Sequence, residues 1–120
     1  MKTHGTFFSP GDNSGAKKMS CIGQPRSQLY IGDTITVSIK DSLPSHRSRV
    51  KKGNVYKAVV CELKQKRNRF THLGRSFSKN SAVIVNSKGD PIGTRIYSLA
   101  SFELRARGHI KIASLSPFLF

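Results

Sequence analysis

The chain has 120 residues, 37% of them apolar, which suits one small core and leaves little room for a second domain. Its 21 Lys and Arg face 6 Asp and Glu, a net charge of +15, so the chain repels itself and attracts polyanions. No amphipathic basic helix or long apolar span accompanies that charge, and stretches such as Ala58-Val59-Val60-Cys61 are far too short to cross a bilayer, so a phosphate backbone is a better match than a membrane.

Met1 to Pro10 holds no apolar run fit for a secretory signal, and it is not an Arg- and Ser-rich transit helix. Asp12-Asn13-Ser14-Gly15 has turn chemistry. Lys17 and Lys18 form a small basic patch before a strand over Met19 to Ile22. Gly32-Asp33 is a second turn. Ile35, Val37 and Ile39 then alternate with Thr34, Thr36 and Ser38, the period of a half-buried strand, and Lys40 comes directly after them. A basic tract of Arg47, Arg49, Lys51 and Lys52 follows, and Lys52-Gly53-Asn54 turns the chain into a denser β-branched run from Val55 to Leu63, the pattern of a central strand.

Lys64, Lys66, Arg67 and Arg69 come next, with Arg75 and Lys79 beyond. This stretch fits either a loop or a projecting β-ribbon, and the strands around it and a turn at Gly74 favour the ribbon. Ala82 to Val85 is a further strand, Lys88-Gly89-Asp90-Pro91 a turn, and Gly93 to Tyr97 a fifth strand candidate. Leu99 to Arg107 then predicts a short helix ended by Gly108, and His109 to Leu115 a second one stopped near Pro117. Short strands separated by such turns point to a small barrel.

Catalysis has little to work with. Asp12, Asp33 and Asp90 stand at turns, where a carboxylate accepts backbone N–H groups. Ser14 lacks an identifiable base, and neither Gly-rich phosphate loop is present. His4, His46, His72 and His109 share no ligand spacing with each other or with Cys21 and Cys61, so no metal or cofactor is expected. The two cysteines leave open both a single bridge and two free thiols. No acid interrupts Arg47 to Lys52 or Lys64 to Lys79, whereas a merely soluble surface would mix its signs. Lys17, Lys18, Lys40 and the cations of the two tracts are therefore the candidate phosphate contacts. Phe70 is a candidate for stacking on bases, while Tyr56 and Phe77 also read as core residues.

Several segments together resemble the universal L-fourteen family of large-subunit ribosomal proteins. They are Asp12 to Ala16, Gly32-Asp33-x-Ile35-x-Val37-x-Ile39-Lys40, Lys51 to Val60, Asn80-x-Ala82-Val83, Pro91-x-Gly93-Thr94-Arg95-Ile96, Glu103-Leu104-Arg105 and Lys111-Ile112-x-Ser114-Leu115-x-Pro117. The resemblance runs in order from about Thr6 to the C-terminus. It implies a mainly β fold with a five-stranded barrel over about 1–97, a β-ribbon over about 62–79 and a C-terminal lobe of two short helices over about 98–120. It implies a structural role without catalysis: contact with large-subunit rRNA, with small-subunit rRNA across an inter-subunit bridge, and with neighbouring ribosomal proteins. In the bacterial and organellar branch it also implies docking of a ribosome-silencing factor. Thr94, Arg95 and Lys111 match that factor's site, and Arg105 lies beside them as a further protein-contact candidate.

The chain departs from the family at Ser78-Lys79, where an acid is usual, at Tyr97-Ser98-Leu99, and at Phe102. The first departure removes a negative charge near the ribbon. Because the likeness starts near Met1, no cleaved targeting peptide is expected; the settings left open are a bacterial cytoplasm, an organelle that encodes the chain itself, or a mature form, and the drift from the bacterial pattern favours a mitochondrial ribosome. The competing readings are a free nucleic-acid-binding regulator and a small hydrolase built on Ser14 or Cys61.

Overall fold

The computed structural model describes residues 7–24, 30–64, 67–68, 74–75, 79–98, 104 and 108–116. The strands are β1 (Phe7–Pro10), β2 (Ala16–Gly23), β3 (Thr34–Ser42), β4 (Val55–Glu62), β5 (Arg67–Asn68), β6 (Gly74–Arg75) and β7 (Ser81–Val85), and helix α1 spans Ile110–Leu115. Five of the strands form a closed barrel in the order β1-β2-β3-β4-β7. Neighbours pair antiparallel except at the seam, where β1 runs parallel to β7.

Alternation builds β3 as expected. Ile35, Val37 and Ile39 are buried, and Thr34 and Lys40 are exposed. Register carries the inward face round the barrel, setting Met19 opposite Ile39, Ala58 opposite Ile35, and Ile84 opposite Ala58. The later part of β4 and all of β7 are buried on both faces. Leu104 and Ile112 from the C-terminal segment join the same core. That is why these two strands are continuous apolar runs rather than alternating ones.

The five barrel strands differ from the five predicted. Gly93 to Tyr97 is not a strand, and holds one isolated bridge, Asp12 to Ile96. Its place in the barrel is taken by β1. There the N–H groups of Ser9 and Gly11 donate to the carbonyls of Asn80 (3.0 Å) and Ala82 (3.0 Å). Pro10, between them, would donate on the opposite edge, beyond the last β2 pairing at Phe8, so its missing N–H costs nothing. Strand β2 is longer than Met19 to Ile22 and takes in Lys17 and Lys18.

Arg67 pairs with Arg75 and Asn68 with Gly74, so the predicted ribbon is present as an antiparallel pair, with Gly74 in a strand rather than at a turn. At its base the Lys64 N–H donates to Asn80 Oδ1 at 2.9 Å. Of the two predicted C-terminal helices, the second is the short helix α1, and the first, over Leu99 to Arg107, lies almost entirely outside the described residues. Of the other predicted helix only Leu104 is described, and it is helical and fully buried. The His109 Nε2–H donates to the Gly32 carbonyl at 2.8 Å, since a carbonyl only accepts, and this ties the C-terminal segment to the turn before β3.

The segment Gly11 to Gly15 is a clasp at the seam. In a continued parallel ladder Gly11 O would accept from Ile84, but that oxygen accepts from Tyr97 N (2.7 Å) and Ser98 N (3.2 Å) instead. The Asp12 carboxylate fills the gap: Oδ2 accepts from Ile84 N at 3.3 Å, and Oδ1 from the Ser14 hydroxyl at 2.8 Å. Gly11 is required by the crowding, since a Cβ there would lie 2.7 Å from Ser98 Oγ and 2.9 Å from Ser81 Oγ. Leu43 N donates to Gly15 O and Arg49 N to Ser14 O, both at 2.8 Å, so the β3–β4 loop is tied to the same clasp.

Burial raises the Asp12 pKa above 3.8, against the lowering effect of its hydrogen bonds. Two outcomes are expected. Asp12→Ala should destabilise the fold by about 1.5–3 kcal/mol in urea unfolding, because the Ile84 N–H loses a charged acceptor. Because the folded state holds the proton to higher pH than the unfolded chain, ionisation of Asp12 costs stability. The stability of the wild type relative to Asp12→Asn should therefore fall as pH rises from 3.8 through the folded pKa, and stay level above it.

Candidate nucleic-acid interface

The basic tract before β4 lies on a fixed loop. Val50 is buried and anchors it, and the Gly53 N–H and Asn54 O bond to Ile39 O (2.8 Å) and Ile39 N (3.0 Å). Arg47, Lys51 and Lys52 are exposed on this scaffold. Arg49 is also exposed, but its Nη1–H donates to the Ile92 carbonyl at 2.8 Å, so it doubles as a strut between two loops. Tyr56 is partly buried against the core, and its hydroxyl accepts from Lys51 N at 3.4 Å, in keeping with the packing reading.

A second group of cations lies on the strands. Lys17 and Lys18 on β2 and Lys40 on β3 are exposed. Lys64 and Lys79 are exposed on either side of the ribbon. Arg67 and Arg75 stand opposite each other in register, while Lys66, Arg69 and the stacking candidates Phe70 and Phe77 lie outside the described residues. Lys57 was not among the predicted contacts. It is exposed on β4, opposite Thr36 and Val85. A single lysine inside an apolar run gives no cluster signal, although its alternation with Tyr56 and Ala58, which face the core, marks it as outward-facing.

The candidate protein-contact residues are held by the segment after β7. Asn13 is the organiser: its Nδ2 donates to Thr94 Oγ1 at 2.9 Å, and its Oδ1 accepts from Arg95 N at 3.0 Å. Gly93 lets the segment come this close, since a Cβ there would lie 2.6 Å from Asn13 Oδ1. Thr94 and Arg95 are both exposed. Lys111 pairs with Asp90 at 2.9 Å, which links α1 to the turn leading into this segment. The turn's own acceptor is Asn86 Oδ1, which takes the N–H groups of Lys88 (2.9 Å) and Asp90 (3.0 Å), a role the sequence suggested for Asp90. Asp33 does act as a turn carboxylate, accepting from Tyr30 N at 2.8 Å. Arg105 lies outside the described residues.

The residues behind the hydrolase reading are spent on structure. Ser14 is fully buried and donates to Asp12. Cys61 is fully buried, and burial pushes its thiol pKa up to about 12, far from a reactive thiolate. Cys21 and Cys61 are both buried and are not joined by a disulfide in this structure. Among the described residues no three His, Cys, Asp or Glu side chains could together hold a metal ion, and no helix is long and apolar enough to cross a membrane.

Fold and composition together define a small, strongly cationic β-barrel protein. Residues 1–120 match the family model described as ribosomal protein L14p/L23e, and the chain belongs to that family. It is a family of structural proteins of the large ribosomal subunit, not of enzymes. Ribosomal RNA and neighbouring ribosomal proteins are the partners that membership implies.

If Asn13 positions Thr94 and Arg95, Asn13→Ala should speed amide hydrogen exchange at Arg95 while amides in the middle of β3 and β4 stay protected. Equal acceleration in both places would mean that the substitution opens the barrel instead.

Proposed function

We propose that the protein binds large-subunit rRNA through Lys and Arg contacts to phosphate and contributes to an inter-subunit bridge with small-subunit rRNA. The observation that carries this reading is the fixed basic loop, where Arg47, Lys51 and Lys52 stand exposed on a backbone pinned by Val50 and the clasp. Such a loop loses little conformational freedom when it docks, so its charge is available for binding. Lys17, Lys18, Lys40, Lys64 and Lys79 extend the cationic surface, and the ribbon residues Lys66, Arg67, Arg69 and Arg75 complete the set. The barrel, the ribbon over about 62–79 and the C-terminal lobe over about 98–120 act in this reading as one unit.

Thr94, Arg95 and Lys111, with Arg105 near them in sequence, are the proposed contacts for a neighbouring protein or a ribosome-silencing factor. The Lys111–Asp90 pair is exposed, so it is worth little by itself and can be exchanged for an acidic partner group. A mitochondrial ribosome is the setting that the family departures favour.

Sedimentation of the tagged protein from an extract is the primary test. It should travel with the large subunit, including free large subunits, at moderate and at high salt, and migration at the top of the gradient in both conditions would overturn the proposal. For the isolated protein, RNA affinity should fall steeply with salt. Neutralising Lys64, Lys66, Arg67 and Arg69 together should flatten the slope of log K against log salt by about 3, at about 0.7–0.9 for each phosphate no longer neutralised. The circular dichroism of the barrel should not change.

A further inference from the structure

Phosphate neutralisation leaves unexplained the outer face of β1 to β4. Phe7 is 52% exposed there, and Lys18 Nζ lies 3.9 Å from the centroid of its ring. Register accounts for the pair: Phe7 stands opposite Ser20, so Lys18 is its diagonal neighbour on the same face. The row continues from Ser20 to Ser38 and from Ser38 to Val55, which is 55% exposed. Four strands wide, the row is about 14 Å long. Lys18 and Lys40 lie on one side of it, and Lys57, opposite Thr36, lies on the other.

The chemistry of this face is specific. A half-exposed phenyl ring on a chain of net charge +15 invites a flat apolar partner that carries negative charge. An unpaired nucleotide has both properties, with a base for the ring and phosphates for the lysines. A duplex hides its base faces in the stack and would use the lysines alone. The Ser20–Ser38 stretch between Phe7 and Val55 has short side chains, so a strand of RNA can lie close to the sheet.

We propose that this face is a stacking platform for an unpaired RNA nucleotide, with the base on Phe7 and the neighbouring phosphates drawn by Lys18, Lys40 and Lys57. The proposal rests on the RNA-binding reading above and adds which part of an RNA is held and by which side chain. It brings in two residues, Phe7 and Lys57, that the charge clusters did not nominate.

The chain has no tryptophan, so Phe7→Trp gives the protein a single tryptophan at the site, which can be excited apart from its three tyrosines. The probes are a short single-stranded RNA, the same RNA annealed to its complement, and inorganic polyphosphate. Fluorescence should be quenched by the single strand and not by the duplex or polyphosphate, although all three bind at low salt. Phe7→Leu keeps an apolar side chain without an aromatic face, and should weaken single-strand binding about five- to hundred-fold while leaving duplex binding unchanged. Equal quenching by polyphosphate, or no loss of single-strand affinity in Phe7→Leu, would overturn the platform and leave the phosphate reading intact. Failure of the wild-type protein to bind either RNA at low salt would overturn the phosphate reading, and the platform with it.

Discussion

The buried Asp12 carboxylate holds together the three parts of this molecule that chain connectivity leaves separate. It takes the place of a main-chain acceptor at the barrel seam, so β7 finds a partner for the Ile84 N–H just where Gly11 has turned to the 96–98 segment. The same carboxylate fixes Ser14, whose carbonyl holds the loop of Arg49. Removing a carboxylate from water is expensive, and burial duly shifts its pKa upward. The structure accepts that cost because no neutral side chain of the same size offers two acceptor oxygens and no donor.

Much of the fold can be read from residue patterns where the interactions are local. The alternation of Ile35, Val37 and Ile39 reports one wet face and one dry one. The unbroken run around Val59 and the apolar cluster at Val83 report strands covered on both sides. The seam is different. Pro10 and Gly11 look like a strand's end, and only the position of β7 explains why a proline is harmless there. Gly93 to Tyr97 reads as a strand candidate, yet its backbone partners are the loop residues Gly11, Asp12 and Asn13. Nothing within a few residues of either segment reveals that exchange.

The candidate site divides in the same way. Its cations are plain in the sequence as runs without acids. Their local duties are not. Arg49 braces the Ile92 carbonyl, Lys111 pairs with Asp90, and Lys18 leans over Phe7. Arg47, Lys51 and Lys52 are held in place by a buried valine and main-chain hydrogen bonds, with the buried Asp12 carboxylate acting only at one remove, through Ser14.

The parallel seam also bears on the order in which the chain can fold. Asp12 and Ile84 are 72 residues apart, so β1 emerges from synthesis long before the strand that will flank it. Until then the edge of β1 is an open template beside a lysine-rich chain, and mutual repulsion among those lysines is a safeguard against pairing with another copy. The meander β2-β3-β4 can form from near neighbours, whereas closure must wait for β7 and for the 96–98 segment that follows it. Closure of the barrel is thus the strand pairing with the greatest sequence separation, and it carries the largest loop-closure cost of the five.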